Sequence, residues 1–127
     1  SMNGKDTTAE TSKAIGDRAE DQSARFLERH GLKVLVRNFR CRGGEIDLIC
    51  RDGKALVFVE VRLRRNACFG GAAASISQGK QRRIILAARH YLAANAKNDA
   101  DCRFDCLLLD GNPEHSIEWI RDAFSAN

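Results

Sequence analysis

Residues 43–65 read GGEIDLICRDGKALVFVEVRLRR, a stretch that places acidic side chains within otherwise apolar sequence. Two strand-like runs, Glu45–Arg51 and Ala55–Leu63, lie on either side of Asp52-Gly53. An Asp-Gly pair between two such runs is a strong short-range signal for a β-hairpin. We therefore expect a hairpin with a two-residue loop at the centre of the fold.

The hairpin predicts which side chains share a face. With Asp52 and Gly53 as the loop, Asp47 is paired with Phe58 and Glu45 with Glu60 on the opposite strand. Side chains alternate between the two faces of the sheet along each strand. Asp47 and Glu60 then become diagonal neighbours, with Arg62 on the same face. The opposite face is predicted to be apolar and to hold Ile46, Leu48, Cys50, Val57, Val59, Val61 and Leu63.

Three carboxylates on one patch repel each other unless a positive charge lies between them. Carboxylate oxygens suit Mg²⁺ or Mn²⁺, so Glu45, Asp47 and Glu60 are candidate metal ligands. Alternatively, these acids face water at the open end of a half-exposed sheet. Glu60 favours a functional site, since it is the one charge in the apolar run from Leu56 to Val61.

The same residues resemble a known signature. Glu45-Ile46-Asp47, followed by Glu60-Val61-Arg62, resembles the PD…(D/E)xK pattern of the restriction-endonuclease-like nucleases. The strings GGEIDLI, VFVEVRLRR, FGGAAAS and CRFD…IEWIRDAF are similar to the YraN-type family, small bacterial proteins related to archaeal Holliday-junction resolvases. This resemblance covers nearly the whole chain, and it implies a restriction-endonuclease-like fold and Mg²⁺- or Mn²⁺-dependent hydrolysis of DNA, including branched or structured DNA.

The resemblance also implies roles for individual residues. Asp47 and Glu60 would be catalytic, and Glu20 would be the helical glutamate that completes the acidic site. Glu20 is equally well explained as an ordinary glutamate on a helix surface. Arg62 stands where these nucleases usually have lysine, and an arginine cannot act as a general base. It can still orient a water molecule or stabilise a phosphate oxygen, so the alternative to a nuclease is a catalytically weak or inactive nucleic-acid-binding module of the same fold.

Basic residues surround the acidic stretch. The chain carries a formal charge of +4, and between Arg51 and His90 the only acids are Asp52 and Glu60. The basic residues of that region are Arg51, Lys54, Arg62, Arg64, Arg65, Lys80, Arg82, Arg83 and Arg89. A cluster rich in arginine suits phosphate groups, although it could also be a solvated face. The candidate nucleic-acid contacts are Arg42, Arg64, Arg65, Lys80 and Arg83, with DNA favoured over RNA.

Helical and strand patterns alternate along the rest of the chain. They predict a helix over Ser12–His30, a strand over Leu32–Asn38 and, after the hairpin, a helix that opens with the capping box Ser75-x-x-Gln78 and runs to Asn95. Strands at Cys102–Leu109 and Ser116–Ile120 follow. The fold class is therefore α/β, with a central mixed sheet flanked by helices in the order helix, three strands, helix, strands.

Length and composition limit the remaining possibilities. We expect a disordered tail over residues 1–12 and a single domain over residues 13–127. An odd number of cysteines and the lack of any long apolar run predict a cytoplasmic protein with reduced thiols and no membrane contact. Because the resolvase relatives work as dimers, the resemblance also suggests a homodimer.

Overall fold

Two helices and five strands follow one another in the predicted order in a computed structural model that describes residues 11–64, 76–97, 99–110 and 116–126. They are α1 (Ser12–Arg29), β1 (Lys33–Cys41), β2 (Gly44–Asp52), β3 (Ala55–Arg64), α2 (Gln78–Ala94), β4 (Cys102–Asp110) and β5 (Ile117–Phe124). Almost all of the predicted N-terminal tail lies outside the described residues. Within the described ranges, neither helix is long and apolar enough to cross a membrane.

The strands form one sheet in the order β1-β2-β3-β4-β5. Neighbouring strands are antiparallel except for β3 and β4, which are parallel. A parallel pair needs a long connection between its strands, and α2 lies in that connection. The predicted α/β class and mixed sheet are confirmed, and the arrangement is compatible with a nuclease-like core.

Each face of the sheet carries a hydrophobic cluster under one helix. On the α1 face, Ala24 and Leu27 pack against a set of sheet residues that comprises Leu48, Cys50, Val57, Val59, Leu107 and Leu109. On the α2 face, Ile84 and Tyr91 pack against Ile46, Ile49, Leu56, Phe58 and Phe104. Because β3 is central, its residues 56–60 are buried without interruption.

The predicted register of the β2–β3 hairpin is wrong by two residues. Asp52 pairs with Ala55 as part of the strands, so the loop is Gly53-Lys54. Gly53 has a φ of +62°, which suits the first loop position of a type II′ turn. Asp52 is the last residue of β2, and its carboxylate binds the Arg103 guanidinium on β4 at 2.9 Å. Phe58 therefore faces Ile49 instead of Asp47.

The predicted alternation along β2 is also interrupted. Ile46 belongs to the cluster under α2, whereas Leu48 and Cys50 belong to the cluster under α1. The three residues were predicted to share one face. The change occurs at Asp47, whose side chain accepts a hydrogen bond from the Val61 backbone N–H on β3. The Asp47 carboxylate thus replaces a backbone carbonyl as the acceptor for this strand N–H. Local departures from regular pairing of this kind change the face to which the neighbouring side chains point.

The N-cap of helix α2 lies two residues later than predicted. Ser77 is the N-cap, and its hydroxyl oxygen accepts a hydrogen bond from the Lys80 backbone N–H at 3.1 Å. Ser75, the predicted cap, lies outside the described residues. Ile76 is 4% exposed and packs on the sheet, so the chain reaches the helix only after burying that side chain. β1 and β5 both continue beyond their predicted ends, to Cys41 and Phe124.

Close contact at Gly44 sets the position of α2 relative to β2. A Cβ atom at Gly44 would collide with the Arg83 carbonyl oxygen and lie 3.2 Å from the Ala87 backbone nitrogen. Both neighbours are helix backbone and cannot move independently of α2. The absence of a side chain at Gly44 therefore allows α2 to lie directly against the start of β2.

We expect Gly44→Ala to destabilise the protein by about 1–3 kcal/mol, because α2 must shift to accommodate the new methyl group. Gly16→Ala is the matched control, since a Cβ at Gly16 meets no atom within 4 Å and alanine favours the helix by roughly 0.5–1 kcal/mol. Urea denaturation measures both free energies of unfolding. Equal stabilities of the two variants would contradict the proposed contact.

Candidate functional site

Asp47 lies where β2 and β3 separate. The regular pairing of these strands ends at Leu48 and Val59. Two residues farther along β3, the Val61 backbone N–H donates a hydrogen bond to Asp47 Oδ2, with 2.8 Å between nitrogen and oxygen. Burial raises the pKa of Asp47, and this hydrogen bond opposes the shift by stabilising the ionised form. The strand geometry therefore holds a carboxyl group in a position that disfavours its charge.

Glu60 is buried in the middle of β3 and is only 5% exposed. Burial, and then the charge of Asp47, raise the pKa of Glu60 to about 7. Two cations oppose this shift: Lys80 Nζ and Arg62 Nη1 lie 3.6 Å and 3.7 Å from Glu60 Oε2. Near neutral pH, Glu60 is thus divided between its protonated and ionised forms.

The carboxyl groups of Asp47 and Glu60 are hydrogen-bonded to each other. This bond raises the pKa of Glu60 and lowers that of Asp47, as expected when the Glu60 O–H donates to the Asp47 carboxylate. The structure thus brings the two predicted residues together, although by a different register from the one expected. Ionisation of one carboxyl group disfavours ionisation of the other, and the nearby cations of Lys80 and Arg62 offset this effect in part.

Glu20 reaches the same region from α1. Its Oε1 accepts a hydrogen bond from Asn38 Nδ2 at 3.0 Å. Burial, and then the charge of Asp47, raise the pKa of Glu20. Glu20, Asn38 and Asp47 line one cavity of about 270 Å³, together with Lys13, Gly16, Asp17, Ala19, Val61 and Leu63. The predicted helical glutamate thus shares a cavity with the first acid of the pair.

The candidate metal ligands form a partial set. Glu45 is exposed on β2 opposite Arg40, and its charge contributes less to the pKa of Asp47 than the other groups around that residue do. Among the residues that the structure describes, no three His, Cys, Asp or Glu side chains converge closely enough to hold a metal ion by themselves. Mg²⁺ usually keeps several waters and takes one or two protein carboxylates, so the hydrogen-bonded pair of Asp47 and Glu60 fits such an ion.

The cations near the acids come from two elements. Arg62 extends from β3, and Lys80 lies in the first turn of α2, three residues after the Ser77 cap. Arg83 follows one turn later on the exposed side of α2, and Arg42 is exposed in the turn between β1 and β2 that adjoins it. The side of the pair that faces α2 is therefore basic, and the cavity side under α1 is acidic.

Arg64 differs from the other predicted phosphate contacts. Its guanidinium donates to Asp110 Oδ1 through Nε and Nη2, at 3.2 and 3.1 Å, and to Glu118 Oε1 through Nη1 at 2.9 Å. The side chain is only 15% exposed. Arg64 thus ties β3 to β4 and β5, and its charge is already matched. Arg65, another predicted contact, lies outside the described residues.

Asn38 was not among the site residues predicted from the sequence. Its φ of +52° is unusual for a residue within a strand, and asparagine tolerates this region better than most side chains. An asparagine between Arg37 and Phe39 gave a weak signal for such a bend. Its partner on α1 is 18 residues away in sequence, so the contact could not be read from local spacing.

Comparison with known proteins adds family membership to this geometry. The model for the family described as "Uncharacterised protein family UPF0102" matches residues 19–109, a range that contains Glu20, Asp47, Glu60 and Lys80. The chain is 64% identical to a UPF0102 protein of Dechloromonas aromatica, over 93% of this chain and 94% of that protein. It is 54% identical to a UPF0102 protein of Nitrosospira multiformis, over 88% of this chain and 93% of that protein.

We expect Glu60→Gln to stabilise the protein at pH 8, by on the order of 2 kcal/mol, and to have a much smaller effect at pH 5. Between the ordinary pKa of 4.5 and about 7, the native state binds more protons at Glu60 than the unfolded state does. The free energy of unfolding of the wild type must therefore fall as the pH rises through that range. Glutamine does not titrate, so the variant lacks this pH dependence. Urea denaturation at several pH values measures the difference.

Glu28→Gln serves as the control, because Glu28 is exposed on α1. Its stability should follow that of the wild type at every pH. Parallel profiles for the wild type and Glu60→Gln would show that Glu60 titrates normally and would contradict the prediction.

Proposed function

The chain belongs to the UPF0102 family, and we propose that it is a metal-dependent nuclease that hydrolyses phosphodiester bonds in DNA. The observation that carries this proposal is the hydrogen-bonded pair formed by the buried Glu60 and the half-buried Asp47, with Lys80 and Arg62 both within 4 Å of Glu60. Each carboxyl group disfavours the ionisation of the other, so contact between two acids does not stabilise the fold. Such a pair is typical of a functional site.

Asp47 and Glu60 are the residues that would hold Mg²⁺ or Mn²⁺. Such an ion, when bound, polarises the phosphodiester and lowers the pKa of the attacking water. Glu20 adds negative charge on the cavity side of the pair, and Glu45 adds it from the exposed part of β2. Deprotonation of Glu60 makes the pair suitable for the ion, so we propose that metal affinity rises as the pH increases through about 7.

Lys80 and Arg62 would bind the phosphate oxygens next to the acids. Arg62 cannot accept a proton from water, so its proposed role is to stabilise the negative charge that develops on the phosphate. Lys80 brings an ammonium group from α2 to the same carboxyl oxygen of Glu60. We therefore propose that Lys80 supplies the amine that the nuclease signature normally places at the position of Arg62.

DNA is the proposed substrate, with branched or structured forms favoured by the resemblance to Holliday-junction resolvases. Arg42 and Arg83 are exposed beside the site and are the proposed contacts to neighbouring phosphates. These contacts would fix the position of the backbone without reading base sequence. A homodimer and a cytoplasmic location remain predictions from the sequence.

A second candidate function is a nucleic-acid-binding module without catalysis. The observation that favours it is Arg62, which replaces the usual lysine and lies beside Glu60 at 3.7 Å. In such a module the acids and cations would bind a metal-bridged phosphate backbone and leave it intact. The two candidates differ in whether DNA is cut and agree that it is bound.

We expect Mg²⁺- or Mn²⁺-dependent cleavage of nicked, branched or linear DNA, and a loss of roughly 100-fold or more in Asp47→Asn and in Glu60→Gln. Each substitution keeps the shape of the side chain and removes a charge that the ion requires. Cleavage of labelled DNA on denaturing gels, with EDTA as a blank, measures the rates.

Asp99→Asn and Glu28→Gln are controls on exposed carboxylates and should cut at the wild-type rate. Binding of DNA without cleavage by the wild type, under any of these metal conditions, would support the binding module and refute the enzyme. Cleavage that persists in both site variants would indicate a contaminating nuclease.

We expect Arg42→Ala, Arg83→Ala and Lys80→Ala to weaken DNA binding and to reduce the slope of log K against log salt by about 1 each, because each removes one phosphate contact. Arg64→Ala should mainly lower thermal stability, since its charge is paired with Asp110 and Glu118. Fluorescence anisotropy at several salt concentrations measures the binding.

Lys54→Ala provides the matched control for charge, because Lys54 lies in the β2–β3 turn at the opposite end of β2 from Asp47. Its salt slope should equal that of the wild type. If the Arg42, Lys80 and Arg83 variants also have the salt slope of the wild type, the proposed phosphate contacts are contradicted.

A further inference from the structure

Asn38 bends β1 beside the acidic cavity. Its φ of +52° lies in the left-handed region, whereas a β-strand requires extended backbone. Arg37 pairs with Leu48 and Phe39 pairs with Ile46, so Asn38 lies alongside Asp47 on the neighbouring strand. The bend thus occurs next to the first acid of the hydrogen-bonded pair.

The bend allows two successive side chains to reach the same helix. Arg37 Nη1 binds Asp21 Oδ1 at 2.6 Å, and Asn38 Nδ2 donates to Glu20 Oε1 at 3.0 Å. In a regular strand, consecutive side chains point to opposite faces, so only one of these contacts to α1 would form. Phe39, the next residue, packs on the α2 face.

We propose that Asn38 is a positioning residue that holds Glu20 in the cavity beside Asp47, so that Glu20 acts with the Asp47–Glu60 pair on the bound cation. This inference rests on the proposed function. An amide is chemically suited to the role, because it donates a hydrogen bond to the Glu20 carboxylate without neutralising its charge. A lysine or arginine in the same place would compete with the cation.

The hydrogen bond between Asn38 and Glu20 lies at the wall of the cavity. Asn38, Glu20 and Asp47 line the same space of about 270 Å³ under α1. Residues that orient the groups around a metal commonly change metal affinity by 10- to 100-fold when they are replaced. Asn38 needs no contact with the ion to have such an effect.

The test is Asn38→Gly, in which glycine keeps the left-handed backbone and removes only the amide. We expect the dissociation constant for Mn²⁺, measured by isothermal titration calorimetry, to rise about tenfold. The melting temperature should stay the same or increase, because glycine favours positive φ. In a Glu20→Gln background, Asn38→Gly should cause no further loss, since the two residues act through one contact.

Two controls separate positioning from general effects. Asn95→Ala removes a different side-chain amide hydrogen bond, from Asn95 Nδ2 to the Tyr91 carbonyl oxygen at 2.8 Å, outside the cavity, and should leave Mn²⁺ affinity unchanged. Ala96→Gly tests the backbone effect alone, because Ala96 has a φ of +54° and follows α2, on the opposite side of the sheet from the cavity.

The outcomes are distinguishable. Unchanged Mn²⁺ affinity in Asn38→Gly, with affinity lost in Asp47→Asn, would overturn the role of Asn38 and leave the proposed function in place. An equal loss in the wild-type and Glu20→Gln backgrounds would also overturn it, because Asn38 would then act independently of Glu20. A wild-type protein that binds no Mn²⁺ would overturn the proposed function together with this inference.

Discussion

The contact between the Asp47 and Glu60 carboxyl groups is the constraint around which the rest of the site is arranged. Burial raises the pKa of both residues, and their proximity raises that of Glu60 further, to about 7. Close contact between two acids is unfavourable in a protein interior unless a proton or a cation lies between them. The separation of β2 and β3 at this point supplies the space, and the Val61 N–H holds Asp47 in place.

A second buried carboxylate shows what a purely structural acid looks like in the same protein. Asp105 is fully buried and accepts hydrogen bonds from the Arg103 guanidinium, the Trp119 indole N–H and the Asp122 backbone N–H. These donors satisfy its charge and fasten β4 to β5 near an irregularity in their pairing. Glu60, in contrast, has one acid as a neighbour and two cations at the longer distances of 3.6 and 3.7 Å, so its charge is less completely satisfied.

The charges around the pair are divided between the two faces of the sheet. Helix α1 contributes Glu20 and the cavity, whereas α2 contributes Lys80 and the exposed Arg83. Gly44 allows α2 to lie close enough to β2 for Lys80 to reach Glu60. A metal ion on the acidic side and a phosphate on the basic side would each meet complementary charge.

Local patterns in the sequence predicted much of this arrangement. The order of helices and strands, the mixed sheet and the family are confirmed, because periodicity and turn residues act over short distances and the quoted strings are long enough to be specific. The proximity of Asp47 and Glu60 was also expected. The predicted register is wrong by two residues because Asp52 was assigned to the loop, whereas it lies in β2 and binds Arg103, a partner that is distant in sequence.

The sequence by itself thus determined which acids lie in strands, which basic residues follow them and to which family the chain belongs. Only the tertiary structure decided that β2 changes faces at Asp47, that Arg64 is paired with Asp110 and Glu118, and that Asn38 holds Glu20. The physical reason is that side-chain alternation is a local property of the backbone. The partner of a buried charge, in contrast, is selected by packing between elements that are far apart in the chain.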